Sequence, residues 1–117
     1  VSSHSFSGVG YSSGTSTALF ELPAMDVSGA PIMGAYDYVG VHATGTSVYR
    51  LIDAAPGSFR TSGTKRLTSV LDELRFTYDA PDFASVTSVT VDATTSAAAA
   101  GETTFRHLRA RVYLRNL

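Results

Sequence analysis

The residues able to do chemistry are few and scattered. Histidine occurs at His4, His42 and His107, too far apart to form an H-x-x-x-H or similar ligand pair. Each reads as a solvated or strand-face side chain. Serine is abundant, but no G-x-S-x-G elbow raises one as a nucleophile. A Ser–His–Asp set can be assembled on paper from almost any chain of this composition and carries no weight. Gly57…Gly63-Thr64-Lys65 approaches a phosphate-binding loop, yet five residues separate the glycines and Thr64 precedes Lys65, so the backbone cradle of that motif is not spaced correctly. Asp79 and Asp82 flank Ala80-Pro81 and offer oxygens of the kind calcium takes, but carboxylates on so short a turn more often cap backbone amides. No metal, no cofactor and no general acid/base pair is expected. Catalysis has no support in these residues.

The remaining chemistry is electrostatic. Residues 1–59 carry Arg50 against Glu21, Asp26, Asp37 and Asp53, whereas residues 101–117 carry Arg106, Arg109, Arg111 and Arg115 against Glu102. The overall charge of −1 makes no case for nucleic acid or an anionic membrane as a general partner. The C-terminal arginines read first as the solvated face of an edge strand. Their second reading is polyanion contact, with DNA phosphates as the ligand.

These side chains must be positioned by a single domain, because 117 residues without an internal repeat build one compact unit. With 44% apolar and 16% charged residues the chain can bury a core, and its Tyr, Phe, Val and Thr favour pleated surfaces. A mainly β fold is expected. The absence of cysteine excludes disulfides, and no apolar run approaches the ~20 residues a bilayer-crossing helix needs. The sequence starts at Val1 without a signal peptide, which processing or trimming accounts for.

Residues 1–16 are Ser/Gly-rich and read as a linker or loosely held arm, with Phe6, Val9 and Tyr11 as its apolar anchors. The globular domain then spans 17–117. Thr17–Leu22 alternates as a strand stopped by Pro23, and Asp26-Val27-Ser28-Gly29 is turn chemistry. Tyr36–Ala43 and Thr46–Ile52 form a hairpin around Thr44-Gly45. Leu67, Val70, Leu71 and Leu74 fall at helical spacing with Thr64 as N-cap, predicting a short helical turn that feeds a strand through Phe76 and Tyr78. Val89, Val91 and Ala93 mark another strand, and Thr94–Glu102 a hairpin tip. In the last strand Leu108, Ala110, Val112 and Leu114 are expected in the core, with Arg109, Arg111, Tyr113 and Arg115 in water.

In order and spacing these segments resemble the globular head of type IV minor pilins and pseudopilins of the PilW-like kind. The similarity lies in the strand Ser16–Pro23, the turn Met25–Gly29, the stretch Gly34–Val39 and the Val48-Tyr49-Arg50-Leu51 strand. It continues through Val70…Leu74-Arg75-Phe76-Thr77-Tyr78, a Val/Thr-rich strand at Val86–Val91 and the ending Tyr113-Leu114-Arg115-Asn116. Members of that family begin with a long apolar helix that this sequence lacks. The resemblance implies an antiparallel sheet head, α+β if that helix is counted. It also implies a structural, non-enzymatic role at the surface or tip of an extracellular pilus or a periplasmic pseudopilus. The implied partners are other pilin subunits or a separate helix-bearing chain of a split pilin, and the membrane is reached only through that helix. Phe6, Val9 and Tyr11 are the expected subunit contacts. A DNA- or surface-binding module using Arg106, Arg109, Arg111 and Arg115 is the alternative.

Overall fold

Alternation and β-branched residues translate into strand almost everywhere. A computed structural model describes residues 1–99 and 101–114, and among these the order is β1 (Ser3–Phe6), β2 (Val9–Ser12), β3 (Thr17–Met25), β4 (Pro31–Thr44), β5 (Ser47–Asp53), β6 (Gly63–Thr68), β7 (Leu71–Tyr78), β8 (Ser88–Ala99) and β9 (Glu102–Tyr113). One 3-10 turn, Phe83–Ser85, is the helical element among the described residues. All strand pairs are antiparallel, in a two-stranded sheet β1-β2, a four-stranded sheet β3-β4-β5-β6 and a three-stranded sheet β7-β8-β9. The protein is mainly β.

The four-stranded sheet is the middle layer, which explains why β3 reads Thr-Ala-Leu-Phe with little alternation in polarity. Ala18 and Phe20 face β7 and β8, where they join Phe76, Val86 and Val89. Leu19 faces the opposite way and packs with Phe6 and Leu51 beneath the β1-β2 hairpin. A strand covered on both faces has no wet side to mark with polar residues. Gly40 sits in this second cluster because a Cβ there would lie 2.9 Å from Leu19 Cδ2 and 3.4 Å from Phe6 Cζ. Pro23 does not stop β3. It is tolerated because β3 is the edge of its sheet, and the pairing slips by a bulge between Pro23 and Met25.

The hairpin expected around Thr44-Gly45 is present, with Thr44 opposite Ser47 and Gly45 at φ 57°. The Asp26 turn is also present. Asp26 Oδ1 accepts from the Ser28 and Ala30 amides, both at 3.0 Å, and Gly29 takes φ 86°.

Three further local expectations fail. The Ser/Gly-rich segment is not loose. Ser7 and Gly8, at φ 50° and 82°, close a tight turn that pairs Ser3 with Ser12 and Phe6 with Val9. The N-terminal ammonium then donates to Leu19 O at 2.9 Å. The helical turn at Thr64–Leu74 is replaced by β6 and β7, which break between Thr68 and Leu71. Leu71 is buried while Leu67 and Val70 are half exposed, so the helical spacing described no shared face; β5 and β8 supply pairing partners that outweigh a weak local preference. The hairpin tip expected at Thr94–Glu102 is much shorter, because β8 continues to Ala99 and β9 resumes at Glu102.

Beyond Thr95 the β8-β9 ribbon continues without β7, whose pairing ends at Leu71–Thr95. Strands of twelve residues extend about 40 Å at ~3.3 Å per residue, in a molecule that measures 55 × 29 × 27 Å.

Candidate docking face

Register assigns each residue of the three-stranded sheet to a face. Leu74, Phe76 and Tyr78 lie opposite Ala93, Val91 and Val89, which in turn lie opposite Leu108, Ala110 and Val112. These nine side chains form one apolar surface. Its cover ends partway across. β3 and β4 lay Ala18, Phe20 and Val41 over the β7-β8 part, leaving Phe76 at 4% and Val89 at 1% exposure. Leu108 and Val112 on β9 are 65% and 45% exposed, and Ala110 is exposed between them. The expectation that Leu108, Ala110 and Val112 are buried is therefore wrong, although they do share one face. Leu114 alone packs against the core. A contiguous apolar strip on a sheet that is half covered is the form a docking surface takes.

The other face of β9 carries Phe105, His107, Arg109, Arg111 and Tyr113. Arg109 and His107 both reach Asp92 Oδ1 on β8 at 3.6 Å, and Arg111 Nε donates to Thr90 Oγ1 at 3.5 Å. A shallow depression lined by Thr77, Ser88, Thr90, Arg109 and Arg111 lies here. It gathers hydroxyls and guanidiniums, and Tyr78 and Asp79 also line it. Arg106 pairs with Thr95 and belongs to the apolar side, so the expected arginine row is divided between faces. Arg115 lies outside the described residues. Exposed pairs such as Arg109–Asp92 contribute less than about 1 kcal/mol, but they offset the local charge that would attract a polyanion.

The three proposed anchors of the N-terminal segment are also separated. Phe6 is 5% exposed and belongs to this protein's own core, not to a neighbour's. Tyr11 is half-buried, edge-on to Phe6 at 5.9 Å and to His42 at 5.0 Å. Val9, 55% exposed, remains open to solvent.

The histidines are not brought together. His4 Nε2 bonds Asp53 Oδ2 at 2.7 Å with its ring stacked 3.7 Å over Tyr38, and His42 Nδ1 lies 2.7 Å from Thr17 Oγ1. The first ties the hairpin to β5 of the middle sheet, and the second joins β3 to β4 within it. Among the described residues no group of three or more His, Asp or Glu is disposed to hold a metal. Asp79 accepts from the Thr87 amide at 2.9 Å and from its hydroxyl, and Asp82 accepts from the Ala84 amide at 3.1 Å. The Thr87 bonds hold the Asp79 carboxyl below its ordinary pKa.

The most specific polar cluster is one the sequence did not single out. Asp37 is fully buried on β4 and accepts from Ser58 Oγ at 2.6 Å, Ala55 N at 2.7 Å and Arg60 Nη1 at 2.8 Å. It fastens residues 54–60 over the end of the middle sheet. Burial alone pushes this carboxyl up, and the Ser58 hydroxyl, the Arg60 guanidinium and the Ala55 amide together bring it below its ordinary value. A charge inside the apolar run Tyr36–Ala43 was the available signal. Its partner, 23 residues away, was not readable.

Comparison of the chain with family models, curated proteins and solved structures returned no match.

Proposed function

We propose that the chain is a structural subunit of a type IV pilus or secretion-type pseudopilus, assembling at the filament surface or tip. It acts outside the cell or in the periplasm, and its partners are other subunits. The observation that carries this reading is the open strip Leu108–Ala110–Val112, continuous with a buried core yet left uncovered. Burying such a strip contributes roughly 25 cal/mol per Å² of apolar area. A pilin-type apolar helix, on a partner chain or joined to this one, is the cover that the sequence resemblance implies. The polyanion alternative is less well supported, because Asp92 engages Arg109 and Arg106 lies on the other face.

The test is Leu108→Asp combined with Val112→Asp in the producing cells, read as the amount of this protein in sheared filaments. Loss from the filaments with an unchanged circular dichroism spectrum is expected. Undiminished incorporation overturns the reading.

A further inference from the structure

The edges of the two larger sheets are treated very differently. The β3 edge is closed by the N-terminal segment: Val1 N donates to Leu19 O at 2.9 Å, Gly14 N to Thr17 O at 2.8 Å, and Ser13 Oγ accepts from Leu19 N at 3.2 Å. The β7 edge is occupied in part, with Phe76 N donating to Thr15 O at 2.8 Å and Leu71 N to Thr46 O at 2.9 Å. The β6 edge is open but only six residues long, and it carries Lys65 and Arg66, charges of the kind that discourage pairing. β9 is twelve residues long, and among the described residues no strand lies beyond it.

The polarity of that edge can be derived. Leu114 N donates to Thr87 O at 2.7 Å, and the β8-β9 register runs without a shift. Antiparallel ladders alternate bonded and unbonded pairs. Even-numbered residues of β9 therefore bond β8, while Phe105, His107, Arg109, Arg111 and Tyr113 aim their N–H and C=O groups at solvent. This is a preformed template for a further strand.

Charge selects the occupant. β9 carries Arg106, His107, Arg109 and Arg111 against Glu102. A second copy of β9, or the basic β6, would place like charges along one seam, which is destabilising. We propose that β9 accepts, as a fourth strand of its sheet, an extended segment of another protein in which carboxylates alternate with apolar or threonine side chains. The carboxylates lie beside Arg109 and Arg111, and the apolar residues prolong the strip Leu108–Ala110–Val112. Main-chain bonds supply the affinity and the alternation supplies the register. This pairing uses the edge and does not rest on the pilus reading, which uses the face.

The probe is a capped peptide of about nine residues, the length of an ordinary strand, alternating valine or threonine with glutamate. Its counterpart carries lysine for glutamate. With the whole chain, the glutamate peptide should slow exchange of the Phe105, His107, Arg109, Arg111 and Tyr113 amides and bind at least about tenfold more tightly than the lysine peptide, increasingly so at low salt. Arg111→Pro removes an outward donor but no ladder bond, and should abolish binding while keeping the melting temperature near that of the parent. Should Arg111→Pro unfold the protein, a glutamate peptide N-methylated on alternate residues makes the same test. Equal binding of the two peptides overturns the proposal. So do unaltered binding after edge blockade and a β9-paired homodimer that Arg111→Pro dissociates.

Discussion

The middle sheet and the β8-β9 ribbon follow similar sequence rules and reach opposite ends. On the middle sheet Ala18 and Phe20 are covered from one side and Leu19 from the other, and even the polar Asp37 is enclosed with three donors. On β9 the same alternation of apolar and polar residues yields a strip that nothing among the described residues covers. The difference is one of layers, not of strand chemistry. A strand's pattern says which side chains share a face, and only the neighbouring element decides whether that face is dry.

The comparison breaks most sharply with one substitution on each outer strand of the same sheet face. Phe76→Asp places an unpaired carboxylate where the ring is 4% exposed and should remove about 4 kcal/mol or more, close to the whole margin of a small domain. Leu108→Asp, at 65% exposure, should stay within about 0.5 kcal/mol. Urea midpoints measure both, and comparable losses would mean that β9 is covered in solution.

Next comes the buried carboxylate. Asp37→Ala leaves Arg60 without its ion-pair partner and the Ser58 and Ala55 donors unmet, a loss of about 3 kcal/mol. The group also has a pH signature. Because its folded pKa is depressed, its stabilisation is complete above the unfolded carboxylate value of ~3.9 and is lost as pH falls through the folded value below that. Asp37→Asn should therefore flatten the stability curve on the acid side while leaving its shape near neutrality unchanged. An identical acid limb in parent and variant would assign the linkage elsewhere.

A smaller effect is expected at Gly40. Alanine there must displace Leu19 and press on Phe6 and Leu51, at a cost of about 1–3 kcal/mol. The strain should loosen the β1-β2 hairpin first, visible as faster amide exchange at His4 and Phe6. Protection unchanged there would mean that the second cluster does not hold the hairpin.

Particular residues show how far the sequence could be read. The β class, the Thr44-Gly45 hairpin and the Asp26 turn were legible because alternation, φ > 0 at glycine and Asx bonding are local. The β1-β2 hairpin was missed because serine and glycine dominate it, and Phe6 and Tyr11 gain meaning only in the cluster with Leu19 and Leu51. Leu67 to Leu74 misled because four leucine and valine positions satisfy helical spacing while falling on two strands and, at Val70, the break between them. Leu108, Ala110 and Val112 were assigned to the right face and the wrong environment. Asp37 and Arg60 are separated by the rest of β4 and all of β5, and their contact has no signature in local sequence.

The smallest effect concerns the polar face of β9, and it separates a binding strand from a merely charged one. Asp92 lies 3.6 Å from both Arg109 and His107, and all three are partly or well exposed. Solvent screening limits such pairs, so Asp92→Ala should alter stability by no more than about 0.5 kcal/mol. Its electrostatic consequence is different in kind. Removing the carboxylate leaves Arg109 and His107 without their acidic neighbour and raises the field that a polyanion would sense. Retention on heparin should increase for Asp92→Ala and collapse with added salt, as phosphate- or sulfate-type contacts do. If the parent already binds heparin strongly and the substitution changes nothing, Asp92 does not restrain the arginines and the polyanion reading of this strand gains over the docking one. If retention appears only in the variant, Asp92 restrains Arg109 in the native strand, and the polyanion reading loses ground there.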